Sequence, residues 1–389
     1  MHAAEKVNYG AENMDTALAQ ELKGRWAKLE KIMRERSLDA ILLVGNSVVG
    51  PPFHGTFRYF TGHKVYYRYQ AMIARPDKPI TVCASSVQHK NGLAARGLTD
   101  IRVSPDILGT VLTDLKDQPV KRLGVSLEML PALWYLELEK TGAAFVDVLG
   151  DICAIRSERS DFEIEMTRAC GKIADAGYRA VCDKAAPGVK LTDLYAELDY
   201  AMKAAGAEET FTLMSCGRFS FEDNKLPCIS PLIWPEDSVV KNGDCVAMEI
   251  TPRYMGYWTQ MVRTICVGEQ NPDIKKAHAD LLKTMEAAIP LFKPGIRLED
   301  TIIHMCKVGE SLGYASRLPF GHIAGIDLDE GWHYALESDI ILKAGMTFII
   351  HPTLITPNID FGIFWGDSYL VTEDGGQCLT SCENALLTV

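Results

Sequence analysis

Gly243-Asp-Cys-Val-Ala-Met-Glu-Ile-Thr-Pro-Arg-Tyr-Met-Gly-Tyr-Trp-Thr-Gln-Met-Val-Arg-Thr264 is the stretch whose reading decides the fold. It reads as two strands about a tight reversal: Val246, Met248 and Ile250 alternate with Ala247 and Glu249, and Gly256 marks the turn. On the return strand Tyr257, Thr259, Met261 and Arg263 share one face, because strand side chains alternate with period two. Glu249 is therefore a carboxylate inside an otherwise apolar strand. Such a group is tolerated only when paired, hydrogen-bonded or ligated. Two readings stay open: a core-edge Glu bonded to Arg263, or a functional acid.

Around this stretch the chain repeats itself. Pro187-Gly-Val-Lys-Leu-Thr-Asp193 returns 107 residues later as Pro294-Gly-Ile-Arg-Leu-Glu-Asp300. Each copy ends one long helix and starts another: 161–184 then 191–205, and 272–292 then 298–313. Ser160-Asp-Phe-Glu163 is a capping box that opens the first of these. Two matched helix pairs, each followed by strands, imply a duplicated α+β unit with a pseudo-two-fold axis. The crevice between its halves is the natural place for a site.

Before the duplication, apolar residues at helical spacing (Leu18, Leu22, Trp26, Leu29, Ile32, Met33) predict a helix over 13–36. Strand-like runs follow at Ala40–Val44, Ala71–Ala74, Ile80–Val82, Arg122–Val125 and Ala144–Val148, with helical segments between them. The charged connector Arg156–Ser160 separates this part from the next. The division is an α/β domain over 1–155 and a duplicated α+β domain over 156–389.

Composition narrows the function. Hydrophobic residues make up 47% and charged residues 23%, the balance of a soluble globular protein. A net charge of −11 with no Lys/Arg block argues against nucleic acid or an anionic membrane as main partner. The 11 scattered cysteines form no C-x-x-C pair and read as free thiols of a reducing compartment, with Cys216, Cys228 and Cys245 expected to be buried structural thiols. The start lacks an apolar leader core, and no run reaches the ~18 apolar residues of a membrane span. The expected location is cytoplasmic.

Several stretches carry candidate chemistry. Leu318-Pro-Phe-Gly-His-Ile-Ala-Gly325 sets His322 among glycines that bend the backbone and present a side chain. Asp327, Asp329, Glu330 and His333 follow, read as a solvated acidic face with a surface or supporting histidine. Met346–Pro352 is a strand carrying His351 at its end, and Gly362–Val371 another, with Asp367 near its start. In the first domain, Phe53–Tyr69 gathers aromatics around Arg58, His63, Lys64 and Arg68. It suits an interface or ligand rim, or the ordinary packing of a loop over the sheet.

With these residues laid out, the chain resembles the creatinase/prolidase/methionine-aminopeptidase superfamily of the pita-bread fold. The phrases that carry the resemblance are G-D…G-Y-x-T-x-x-x-R-T, G-H-x-x-G and G-M-x-F-x-x-x-P…V-T-E-D-G, and it spans about residues 15–385. It implies an α+β pita-bread domain with a pseudo-two-fold duplication, preceded by a smaller α/β domain. The metallopeptidases of that family hold two metals on Asp, Asp, His, Glu and Glu. The corresponding positions here are Glu249, Gln260, His322, His351 and Gly366, and Ser230-Pro231 and Asp329 stand where two accessory histidines belong. A dinuclear site needs bridging carboxylates, which Gln and Gly do not supply.

By its G-Y-W-T-x-x-x-R-T phrase the chain is similar to the metal-free creatinase and ectoine-hydrolase-like branch. That likeness implies a homodimeric hydrolase of a C–N bond in a small polar metabolite, a zwitterion among the candidates. The N-terminal domain of one subunit would then stand near the site of the other. The expectations are catalytic His322, His351 and Glu249, with Gln260, Tyr257, Arg263, Asp367, Phe57, Arg58, Arg68 and His333 toward the substrate, and no cofactor. Two alternatives remain: a hydrolase or lyase holding one divalent ion on Glu249, His322 and His351, and a non-catalytic binding protein on the same fold.

Overall fold

Ala40-Ile-Leu-Leu-Val-Gly45 (β1) is apolar along its whole length because both its faces are covered. It pairs antiparallel with Gln70–Ala74 (β2), whose five residues are all buried, and parallel with Arg122–Val125 (β5). With Thr81–Ala84 (β3), Asp100–Val103 (β4) and Ala144–Asp147 (β6), they form a six-stranded mixed sheet in the order β4-β3-β2-β1-β5-β6. The computed structural model describes residues 11–47, 54–218, 233–270, 272–317, 320–330, 339–356 and 359–389. It resolves into two units, one of Asn8–Ser157 with Ile326–Glu330, the other of Glu158–Gly325 with Gly331–Val389.

In the first unit the helix Ala11–Glu35 buries Leu18, Leu22, Leu29, Ile32 and Met33, the stripe read from the sequence. β4 escaped that reading because its residues are only partly buried and two of the four are charged. The segment read as a loop-rich rim contains a short helix, Thr56–Thr61, with every residue buried. The Arg25 guanidinium donates to the Tyr59 carbonyl (2.7 Å) and lies over the Tyr59 ring, and the Trp26 indole N–H donates to the Phe60 carbonyl. Phe57 packs so closely on β1 that a side chain at Gly45 would come within 2.7 Å of its Cβ. Phe57 and Arg58 are therefore core residues of this unit rather than rim contacts. Tyr66, Tyr67, Arg68 and Tyr69 are the exposed part.

The acidic stretch after His322 is also corrected. Asp327 and Glu330 belong to the first unit and are buried there. Arg156 donates to both (2.5 and 2.8 Å) and to Thr56 Oγ1 (2.9 Å). The sequence cannot show that a cation 171 positions away turns an apparent solvated face into a buried ion cluster. His333 lies outside the described residues.

In the second unit the two Pro-Gly phrases adopt the same local structure. Gly188 and Gly295 both take positive φ (94° and 86°), the left-handed turn that glycine accepts without strain. The Lys190↔Val239 and Arg297↔Ile341 bridges then tie the starts of Leu191–Ala205 and Leu298–Ser311 to equivalent extended segments. The long helix Asp161–Lys184 begins with both halves of the capping box formed at Ser160 and Glu163.

Glu209–Gly217 (β7), Cys245–Tyr254 (β8), Tyr257–Trp258 (β9) and Met261–Cys266 (β10) make one sheet, with the reversal at Met255-Gly256. Ala315–Arg317 (β11), Thr353–Thr356 (β14) and Ile359–Phe364 (β15) make a second. Gly321–His322 (β12), Thr347–Ile350 (β13), Asp367–Thr372 (β16) and Gly375–Cys378 (β17) make a third. β8 is buried from both sides. Val246, Met248 and Ile250 enter a core with Ile173, Leu194, Leu198 and Met202 from the first helix pair. Cys245 and Ala247 enter another with Phe292, Ile302, Phe348 and Trp365. Glu249 and Thr251 continue that second face. Ser160→Ala removes a cap that satisfies the Glu163 N–H and is expected to cost about 1 kcal/mol. The check is a lower urea midpoint with an unchanged slope.

Candidate functional site

The site is assembled from one cross-strand row. Glu249 of β8 stands opposite Val262 of β10. Val262 and Gly366 exchange backbone hydrogen bonds (2.9 and 3.2 Å), and the next residue, Asp367, opens β16 opposite Ile350 of β13. His351 follows Ile350, and its backbone N–H donates to the Phe320 carbonyl, while His322 of β12 pairs with Ile349. Strand pairing thus connects Glu249, Gln260, His322 and His351 within one unit, although they lie up to a hundred residues apart.

Glu249 keeps partial access to solvent on a strand buried everywhere else but at its last residue, Tyr254. Its partner is not Arg263. The Gln260 amide Nε2 donates to Glu249 Oε1 (2.7 Å) and to Thr251 Oγ1 (3.2 Å), which fixes the way that amide faces. Burial pushes the Glu249 carboxyl up to about 7, against the opposing pull of the Gln260 N–H. The His322 and His351 rings meet edge to face with centroids 5.4 Å apart, and Phe364 closes on His351 at 4.9 Å. Burial pushes the His351 imidazole down to about 3, and the neighbouring His322 adds to the effect. His351 is accordingly a neutral imidazole at ordinary pH.

Arg263, expected toward the substrate, is fully buried. Its guanidinium grips Asp367 (2.8 and 3.1 Å) and donates to the carbonyls of Val262 and Gly366 (2.9 and 2.8 Å), and it lies over the Trp365 ring. Asp367 is likewise spent on Arg263 and Thr380, and Tyr257 is buried. These three hold the site's frame and present nothing to a ligand. The sequence reading missed Ser368, whose hydroxyl exchanges hydrogen bonds with the backbone of Gln260, and Thr251, two residues beyond Glu249 on the same strand face. The period-two pattern carried a signal for Thr251; nothing marked Ser368.

The donor set was tested against the two metals implied by the resemblance. Of the five positions, Glu249 offers a carboxylate, Gln260 an amide, His322 and His351 imidazoles, and Gly366 nothing. A Cβ at Gly366 would sit 2.5 Å from the His351 Cβ and closer still to the Ile350 carbonyl, so no side chain fits there without moving the backbone. Two dications need bridging carboxylates, and this set has one carboxylate in all. Among the described residues no three His, Cys, Asp or Glu side chains are grouped to share an ion. That departs from the single-ion set of Glu249, His322 and His351 as well. The residues fit neither arrangement.

Comparison with known proteins places the chain in a family. Residues 165–373 match the model of metallopeptidase family M24, and residues 25–157 match the creatinase/prolidase N-terminal domain. An Xaa-Pro dipeptidase of Pyrococcus horikoshii is 23% identical over 372 residues, covering 92% of this chain and 97% of that protein. Among solved structures, an Xaa-Pro dipeptidase from Bacillus anthracis aligns with a TM-score of 0.81 at 21% identity, over 95% of this chain and 100% of that one. The prolidase from Pyrococcus horikoshii aligns at 0.79 and 23%, over 94% and 100%. The chain belongs to metallopeptidase family M24 and is a hydrolase of that family, carrying a creatinase-type N-terminal domain and a pita-bread domain. The likeness runs to dipeptidases and prolidases and lends no support to the metal-free creatinase branch.

Two expectations follow. Arg263→Met leaves Asp367 buried without its cation and is expected to cost about 3–5 kcal/mol in a denaturant titration. The second concerns pH. Glu249 holds its proton more tightly when folded, so its contribution is full below its ordinary 4.5 and is lost as pH rises through about 7. His351 behaves oppositely, contributing above 6.5 and losing that as pH falls through about 3. Relative to the parent, Glu249→Gln should gain stability from pH 4.5 to 7 and His351→Gln from pH 6.5 down to 3. Flat difference curves in urea midpoints would contradict both assignments.

Proposed function

We propose that this chain hydrolyses a C–N bond of a small polar molecule by proton transfer through Glu249, with His322 and His351 beside it, and without a dinuclear metal centre. The observation that carries this is the Glu249–Gln260 pair: a partly accessible acid whose pKa lies near 7, held by a neutral amide where the metallopeptidases place two metal-binding carboxylates. An acid–base group works best with a pKa near the operating pH. Glu249 is therefore the proton carrier of the three. Glu249 takes a proton from the attacking water and returns it to the departing nitrogen. His351, kept neutral by burial, orients water or substrate by hydrogen bonding instead of carrying charge.

Cleavage of an Xaa-Pro peptide bond, the activity in the relatives' names, is also C–N hydrolysis. The metal-dependent form of that activity is what the residues at 260 and 366 argue against. Chelator-treated protein assayed on Xaa-Pro dipeptides, small amides, ureas and amidines decides the matter. Turnover that survives the chelator and falls about 10²–10⁴-fold in Glu249→Gln is expected. Cleavage of Xaa-Pro that stops with chelation and returns with added metal would overturn the reading.

A further inference from the structure

The first unit holds a cleft that shares no residue with the site around Glu249. The helix Ala11–Glu35 forms one wall, the turn between β2 and β3 a second, and Gly97–Thr99, just before β4, a third. It encloses about 310 Å³, the lower end of the roughly 300–1,000 Å³ of small-molecule sites. Its floor is apolar: Leu29, Met33 and Leu98 are buried, and Trp26 and Ile80 half-buried. Two ion pairs tie the helix to the segments opposite, Arg34 to Asp77 (2.8 Å) and Asp15 to Arg96. Three of the four charged lining residues are cations. Arg75 is held by Asp114, and the one acid, Glu30, by Arg34 (2.6 Å), which it shares with Asp77. Lys78 donates to the neutral Gln118 side-chain oxygen (2.7 Å), and Lys23 has no ion pair or hydrogen bond among the described residues. Two exposed ammonium groups thus line an apolar cleft without an acid partner, in a chain whose net charge is −11.

We propose that this cleft binds a small monocarboxylate with an apolar body, its hydrocarbon part against the floor and its carboxylate toward the ammonium groups of Lys23 and Lys78. An exposed lysine–carboxylate pair is worth little by itself. Burial of the hydrocarbon part supplies the attraction, and Trp26 among the lining residues favours a planar ring as that part. The two ammonium groups then select the sign of the charge, rejecting a cation of the same shape. The proposal goes beyond the reaction at Glu249 and does not depend on it.

Calorimetric titration of the full-length protein with benzoate, set against benzamide and benzylammonium, tests this on the parent chain and on two variants. One is the double substitution Lys23→Gln with Lys78→Gln, which removes the charge. The other is Ala27→Trp, which fills the cleft from the helix side. All three positions are exposed, so neither variant disturbs the core. The expected result is saturable benzoate binding in the millimolar range, with both comparison compounds weaker. Benzoate affinity should fall about tenfold or more in each variant. Should a variant not fold, the ranking of anion, neutral and cation on the parent still decides. No benzoate binding at tens of millimolar, benzamide or benzylammonium binding as tightly, or benzoate affinity unchanged in a folded variant would each overturn the proposal.

Discussion

The Arg263–Asp367 pair is the constraint on which the second unit depends. A single guanidinium at the middle of β10 holds the first acid of β16, and it also holds the carbonyls of Val262 and Gly366, the two residues through which those strands meet. The Trp365 ring lies against it, and the neutral His278 packs edge to face on that same ring, its imidazole pushed down to about 4 by burial. A charge so enclosed tolerates no loose geometry, because each donor left unmet would cost the full desolvation of the group. The spacing between the strand carrying Glu249 and the strand carrying His351 is set here, in a layer buried from solvent.

Much of this architecture was legible in the sequence, and the reasons are local ones. The two Pro-Gly phrases mark equivalent turns because only glycine takes that positive φ cheaply, and the helix pairs around them follow from apolar spacing. The Ser160–Glu163 box announces its helix because both of its hydrogen bonds are made within four residues. The Val246–Ile250 alternation around Glu249 identifies β8. What stayed hidden depends on pairing across long stretches of chain. Glu249 and Asp367 are both plausible acids for Arg263, and only the β10–Gly366 bridge decides which one it receives. Asp327 and Glu330 look like surface acids until Arg156 is brought to them. The helix Thr56–Thr61 is six residues long with no side-chain cap at its start, so period does not reveal it and only the glycines at 55 and 62 mark its ends.

The family likeness and the donor set pull in different directions, and both are physical facts about the chain. Overall topology follows from the helix pairs, the Pro-Gly turns and the doubly buried β8, and of the five positions at which the metallopeptidases bind metal only Glu249 lies in any of these. Those positions can therefore change their chemistry while the frame persists. At position 366 the Ile350 carbonyl and the first atoms of residue 351 leave no room for a side chain, so glycine is what this backbone accepts there.

The placement of Ile326–Glu330 bears on how this chain can be divided. Five residues from the second half of the sequence belong to the N-terminal unit, and two of them, Asp327 and Glu330, pair with the buried Arg156. An excised fragment ending at residue 157 would take the Asp327 and Glu330 carboxylates away from the buried Arg156 guanidinium. The amino-terminal part is thus no detachable module with a tidy seam. It closes only after synthesis has passed residue 330, so the ribosome has made most of the polypeptide before either half is whole.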